Sequence, residues 1–426
     1  MSAKKKSKSK GKPQSKADNA LKVNQTERWL RLAFATIVLL FAGIIYAWSA
    51  IRSPFEDATF GWTGTQLAMN YTITVVCFCL GGFIAGLLTK KTKPLHRLLA
   101  GAVLLGAGFF LTSLLKAGAN IIQLYLTYGV MSGLGVGLAY TTIIGLTSAW
   151  FPDKKGLCSG VMLFGFGFTS LTIGNIAKAL IKPESLGWSA TYKVIGIAMF
   201  VVFAVAAFVI RTPKEGTVFP KAAAKKGKAA VTADHDFATK EMLGRSSFWR
   251  LFILITLIAA VGSAALALAP NLLVDLSLTK ENAVLVFTII SVFNALGRLI
   301  SGALFDRVGA RKTQYFIAAF AFAAPLIVVL SVLTKSVPLG IVGLALCIFA
   351  YGFCPTISSV FASGFYGTKN FSLNFSILNL ILIPAPFAAT LAASIRQSTN
   401  GFLVPFIILT ACTLVAGVIN LSIKKA

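Results

Sequence analysis

Residues 283–312 read Ala283-Val-Leu-Val-Phe-Thr-Ile-Ile-Ser-Val-Phe-Asn294-Ala-Leu-Gly297-Arg298-Leu-Ile-Ser-Gly302-Ala-Leu-Phe305-Asp306-Arg307-Val-Gly309-Ala-Arg311-Lys312. Between Ala283 and Phe305 one charge interrupts an otherwise apolar run. A spanning helix needs about 20 such residues at a rise of about 1.5 Å each, so this segment is long enough to cross a bilayer. The cluster Asp306, Arg307, Arg311 and Lys312 marks the return of the chain to water.

The rest of the chain repeats the pattern. Twelve segments qualify as spanning helices: 29–51, 66–88, 98–115, 121–150, 157–180, 188–210, 248–274, 283–305, 313–334, 338–361, 371–395 and 401–423. The 426 residues are 56% hydrophobic and only 12% charged, with a mean hydropathy of +0.80, which excludes an ordinary soluble protein. The first apolar segment is full length and has no small-residue cleavage pattern behind it, so it reads as a retained helix rather than a signal peptide.

The net charge of +27 would suggest nucleic acid as a partner in a soluble chain, but its distribution argues for topology instead. Of the 40 Lys and Arg, 31 lie in the two termini and one alternate set of loops; 8 lie in the other set, and Arg298 lies within a span. Basic residues accumulate on the cytoplasmic side, so both termini are expected in the cytoplasm of a multi-pass cell-membrane protein, with the basic loops drawn to anionic lipid headgroups. No strip interleaves basic and aromatic residues as a phosphate-tracking surface does, so no nucleic-acid partner is expected.

Residues 211–247 form the one long internal break, rich in Lys and Ala, and divide the chain into two six-span halves. The organisation reads as a basic tail (1–28), a first half (29–210), a linker (211–247), a second half (248–423) and a terminus (424–426). Gly82-Phe-Ile-Ala-Gly86 before Lys90 and Lys91 resembles Gly302-Ala-Leu-Phe-Asp306 before Arg311 and Lys312, which supports duplication. Six plus six spans with matching basic loops is the layout of major facilitator transporters, whose substrate site lies at the midplane between the halves.

Arg298 is the sharpest chemical feature, because a guanidinium within a span is costly unless something pairs with it. All thirteen acidic residues fall in tails, loops or helix ends, so no internal carboxylate is at hand. Its planar fork of donors suits a carboxylate brought from outside and held by two parallel hydrogen bonds. The bland alternative is that Arg298 snorkels to the interface or pairs with Asp306. Lys178 lies near the end of its span and reads as a snorkelling side chain; His96 and His235 are in loops.

Polar atoms at matching depth are Tyr46, Tyr140, Asn294, Tyr351 and Asn379. Gly133 and Gly137 recur at four-residue spacing, which suits either close helix packing or gating. Pro384 and Pro386 remove two backbone donors and should loosen or kink the eleventh span. The six cysteines lie in apolar stretches without metal-ligand spacing and read as buried free thiols, so neither disulfide, zinc nor other metal is inferred. No phosphate loop, metal-spaced cluster or nucleophile constellation supports an enzyme or a cofactor.

Four stretches together resemble the oxalate:formate antiporter family of the major facilitator superfamily, from about Trp29 to the end. They are Gly43-Ile-Ile-Tyr46-Ala-Trp48-Ser49; Gly133-Leu-Gly135-Val-Gly137-Leu-Ala-Tyr140 with Trp150-Phe-Pro-Asp153-Lys-Lys-Gly156; Phe237-Ala-Thr-Lys240-Glu241-Met242-Leu243; and Asn294-Ala-Leu-Gly297-Arg298 with Asp306-Arg307-Val-Gly309. The resemblance implies an all-α fold of twelve helices and transport of small carboxylate anions. It further implies that Arg298 grips the anion while Tyr46, Tyr140 and Tyr351 enclose it, and that the chain is a monomer.

Oxalate carriers of that family use a lysine in the eleventh span for the second carboxylate, and the matching position here is near Leu382. Two carboxylates facing one cation would leave an uncompensated charge in low dielectric, so a monocarboxylate such as lactate, pyruvate or formate is expected over oxalate. The similar monocarboxylate transporters carry an aspartate where this chain has Asn294, so coupling is left open between a proton travelling with the substrate and exchange of anions. An oxalate or dicarboxylate:formate antiporter is the alternative within the class. A transporter-like anion sensor is the alternative outside it, opposed by a linker too short and polar to form an output domain. Asp306 and Arg307 are expected to latch against the cytoplasmic start of the eleventh span, with Gly86 standing where the first half would place the equivalent acid.

Overall fold

The computed structural model describes residues 23–214, 216–220 and 235–423. The tail before Val23, position 215 and residues 221–234 of the linker, and the last three residues lie outside them. Among the described residues twelve helices are long and apolar enough to cross a membrane, and we label them α1 to α12. The first half comprises α1 (Gln25–Glu56), α2 (Gly64–Leu88), α3 (Pro94–Thr112), α4 (Ile121–Ser148), α5 (Lys155–Leu180) and α6 (Trp188–Val209). The second comprises α7 (Ser246–Asp275), α8 (Lys280–Val308), α9 (Ala310–Thr334), α10 (Val337–Phe365), α11 (Phe371–Ser398) and α12 (Leu403–Ser422). The chain is therefore an all-α, multi-pass membrane protein.

Local chemistry sets the ends. Asn24 Oδ1 accepts from the backbone N–H of Thr26 at 3.0 Å at the start of α1. Thr63 and Gln66 cap each other reciprocally at the start of α2, and Thr279 Oγ1 accepts from Asn282 N at the start of α8. Each satisfies donors that a helix N-terminus leaves unpaired.

Four helices depart from α-geometry along their length. α1 tightens at Gly43–Ala47, α4 widens to a π-helix over Tyr125–Ser132, α5 tightens at Thr169–Leu171, and α11 tightens at Leu380–Leu382. The last break has the expected cause. Pro384 opens a fresh helical segment, Pro384–Ser398, where its missing N–H is harmless.

Lipid offers no hydrophobic drive between helices, so packing depends on small residues that let backbones approach. A side chain at Gly137 would lie 2.7 Å from Gly82 N, and one at Gly133 would lie 2.6 Å from Thr74 O. Both glycines therefore seat α4 on α2 within the first half. At the basic-loop end, Arg28 is 1% exposed, paired with Asp153 of the α4–α5 loop and stacked 4.1 Å over Phe151. Removing either partner would strand the other's buried charge.

The halves meet along two seams. α5 runs beside α8 and α10, with the Ser159 hydroxyl of α5 hydrogen-bonded to that of Ser359 of α10 at 2.9 Å, and α2 runs beside α11, where Cys79 Sγ donates to Asn379 O at 3.7 Å. These contacts gather from the midplane to the basic-loop end. Beyond the midplane, the outer segment of α5, Ile173–Leu180, packs instead on α1, with Gly174 beside Ala47. Thr288 and Ile289 of α8 are exposed at that end.

Candidate functional site

Arg298 sits on α8 at the α5–α8 seam and is 2% exposed. Its Nε–H donates to Asn294 Oδ1 one turn earlier at 3.2 Å, and Nη1 donates across the seam to Leu163 O at 3.1 Å. A guanidinium has five N–H donors, so three donate to no described protein atom. Its carbon lies 5.6 Å from the ring centre of Tyr46 and 5.8 Å from that of Phe166, both in the first half. Aromatic faces attract the cation without neutralising it. Among the described residues no carboxylate lies within salt-bridge distance.

Neither bland alternative fits this placement. The side chain is buried between the halves rather than extended to the interface, and Asp306 is engaged elsewhere. Asp306 Oδ1 accepts from Gly156 N at 2.9 Å and Oδ2 from Leu157 N at 2.7 Å, capping the N-terminus of α5. A carboxylate there is favoured both by unpaired donors and by the helix dipole. This corrects the expected latch, which placed Asp306 and Arg307 against α11. The end of α8 lies against α5, where Gly302 and Gly156 bring the two backbones together, while Arg307 is exposed. α11 meets the end of α2 instead: a side chain at Gly86 would lie 2.7 Å from Ser376 Oγ.

The tyrosines divide into two groups. Tyr46 and Tyr351 are half-buried on opposite halves, and each lies within electrostatic reach of Arg298. Pro355, one turn after Tyr351, lacks the donor that would close on the Tyr351 carbonyl. Tyr140 is 1% exposed, enclosed by Phe78 at 5.0 Å, Phe166 at 4.8 Å and Phe375 at 6.0 Å between ring centres. This sealed aromatic cluster reaches Tyr46 through Phe166, to which Tyr46 stands edge-on at 5.3 Å.

Asn379 is 4% exposed at the α11 break, and its Oδ1 has no partner. Leu382, where the resemblance would place a lysine, is 3% exposed. Lys178 is exposed at the far end of α5, His96 is exposed in the first turn of α3, and His235 is exposed outside the spans.

Sequence reading missed Tyr71 of α2. It is half-buried and within electrostatic reach of both Tyr46 and Arg298. The available signal was the polar pair Asn70-Tyr71 inside a strongly apolar segment. The arrangement is one uncompensated cation, an amide holding it, and phenol groups from both halves around it. That chemistry can bind a small anion but offers no nucleophile or paired acid and base.

The model of the Major Facilitator Superfamily matches residues 32–386. An uncharacterized MFS-type transporter, YhjX, of Escherichia coli K12 is 26% identical over 84% of this chain and 85% of its own. The oxalate:formate antiporter of Oxalobacter formigenes is 27% identical, covering 81% and 80% respectively. Human monocarboxylate transporter 12 is 23% identical, covering 78% and 67%. Among solved structures, the proton:xylose symporter XylE superposes with a TM-score of 0.74 at 12% identity over 95% of this chain and 97% of that one.

Proposed function

This chain belongs to the Major Facilitator Superfamily, a transporter and not an enzyme, and from that premise we propose that it is a secondary carrier of small monocarboxylates such as lactate, pyruvate or formate. The observation that carries the reading is the Arg298 guanidinium, buried at the meeting of the halves with three unused donors and no carboxylate partner among the described residues. The substrate carboxylate is its counter-ion. Asn294 holds the fork from behind, while Tyr46, Tyr71 and Tyr351 line the approach, Tyr140 backs Phe166 beside them, and the unpaired Asn379 Oδ1 of α11 is suited to accept from a substrate hydroxyl such as that of lactate.

Relatives named for oxalate, formate and monocarboxylates support the substrate class. The single cation, with Leu382 in place of a lysine, favours one negative charge over two. Binding drives alternating access, in which the halves rock about the anion. The asymmetry of the basic loops supports a cell membrane with both termini on its cytoplasmic side. The conformation described is then the one closed on the cytoplasmic side, with Asp306 on the N-terminus of α5 as part of the closure. Asn294 cannot titrate, so a proton crosses on the substrate itself or the carrier exchanges anions.

The test is a counterflow panel of lactate, pyruvate, formate, acetate and oxalate in proteoliposomes, with an imposed pH gradient present and absent. Lactate or pyruvate flux exceeding oxalate supports the reading, and dependence on the gradient separates symport from exchange. Dominant oxalate:formate exchange would replace it with the antiporter named in the relative. Binding without flux would replace it with an anion sensor.

A further inference from the structure

The gate at the basic-loop end has a carboxylate on only one seam if the spans alone are counted. Asp306 caps the N-terminus of α5, whereas the corresponding place at the end of α2 holds Gly86, which contributes close packing but no charge. The linker supplies a second carboxylate. Asp236 Oδ1 accepts from the backbone N–H of Thr368 at 2.7 Å and of Lys369 at 3.1 Å, on the turn that leads into α11. The two acids thus play matching parts, each holding two amide donors at the approach to one helix of the gate.

The stretch after Asp236 is tied to the same place. Phe237 N donates to Tyr366 O at 3.0 Å, and Asn370 Nδ2 donates to Phe237 O at 2.9 Å. Thr239 Oγ1 donates to Asn374 Oδ1 at 2.8 Å, opening the short helix Thr239–Leu243. The Phe237 ring is 7% exposed, packed edge-on against Tyr366 with the Arg245 guanidinium 4.7 Å above it. This is the Phe237-Ala-Thr-Lys-Glu-Met-Leu stretch, which the substrate site does not use.

The first half answers with Lys155, at the start of α5. Its Nζ donates to Ser363 O at 3.4 Å in the last turn of α10, three residues before Tyr366, whose carbonyl takes the Phe237 N–H of the strap. We propose that Asp236 is a positioning residue of the gate, the linker's replacement for the acid missing at Gly86, and that Lys155 clasps the same end of α10 on which the strap Asp236–Leu243 docks, so that lysine and strap together hold the halves closed. The strap couples the linker to the start of α11, the helix that seals against Gly86. This inference rests on the alternating-access reading above.

The experiment uses the full chain in proteoliposomes with Ser376→Cys as reporter, because Ser376 is 1% exposed at the α2–α11 seam. A membrane-impermeant maleimide is applied from the basic-loop side, and labelling of the chain without the reporter is subtracted. Asp236→Asn is expected to raise the labelling rate about fivefold, Lys155→Gln similarly, and the double variant no further than the larger single effect. Asp236→Glu should restore protection, and exchange of the Thr368 and Lys369 amides with deuterium should quicken in Asp236→Asn. Unchanged labelling, or single effects that multiply in the double variant, would overturn the proposal. So would faster labelling matched by an equal loss of thermal stability in Asp236→Glu, since that marks a merely structural contact. If the variants open the gate but the unmodified protein moves no carboxylate, the strap stands and the monocarboxylate reading fails.

Discussion

Arg298 of α8 donates from Nη1 to the carbonyl of Leu163 on α5 at 3.1 Å, so the one charge buried at the midplane belongs to both halves at once. A substrate that takes up the remaining donors changes the bonding of the seam itself. On the carrier function proposed above, this would link binding to the relative motion of the halves, because the cost of leaving the cation unpaired is borne at the place where they separate.

Truncation of that cation should abolish transport. Arg298→Ala is expected to eliminate lactate and pyruvate uptake while the purified protein elutes as a monodisperse species. Arg298→Lys should retain the charge but lose the fork, leaving KM raised by about tenfold or more, the scale of a lost charge-assisted hydrogen bond. Uptake measured beside size-exclusion profiles decides it, and normal flux in the alanine variant would exclude the site.

The two kinds of tyrosine should separate kinetically. Tyr71→Phe removes a hydroxyl from the half-buried approach and should raise KM severalfold with little change in Tm. Tyr140→Ala empties a sealed aromatic cluster and should cost about 3–5 kcal/mol, seen first as lost expression or a lowered Tm. Equal effects on KM from both would mean that Tyr140 also touches the anion.

Charge count should set selectivity. Leu382→Lys places a second cation near the break in α11 and is expected to improve oxalate relative to lactate in competition assays, with some loss of stability because Leu382 is 3% exposed. An unchanged preference would show that position 382 does not face the substrate.

The strap should withstand mild acid. The backbone N–H of Lys369, foremost, and that of Thr368 hold the Asp236 carboxyl below its usual range, aided by the charges of Lys369 and His235. A carboxyl depressed in the folded state contributes stability above its unfolded value, near 4, and loses it as pH falls through the lower folded value. Labelling at Ser376→Cys should therefore not rise between pH 7 and about 5 through protonation of Asp236. A rise there that disappears in Asp236→Asn would contradict the assignment.

Much of the fold was legible because the bilayer imposes local rules. Twelve apolar runs became twelve helices, and the expected run 283–305 became Lys280–Val308 once its Thr279 cap and charged end were included. Pro384 likewise marked the true break in α11. Within the site, Arg298 and Asn294 were legible as a polar pair one turn apart on one helix. Tyr71 was missed because only the fold brings α2 beside the Gly43–Ala47 stretch of α1, and Tyr140 looked equivalent to Tyr46 because a sequence does not show which ring is sealed in the core. The partner of Asp306 was misread for the same reason, since α5 and α11 both begin with donors that a carboxylate could cap.

What the residues alone determined was the number of spans, the lone internal cation and the asymmetry of basic loops, all consequences of how each short segment partitions between water and lipid. What only the tertiary structure decided was which helix end each acid caps, which tyrosines stay accessible and where the linker docks. Those outcomes depend on contacts between segments far apart in the chain, and in a membrane such contacts follow from shape, backbone approach and the pairing of polar groups rather than from hydrophobicity.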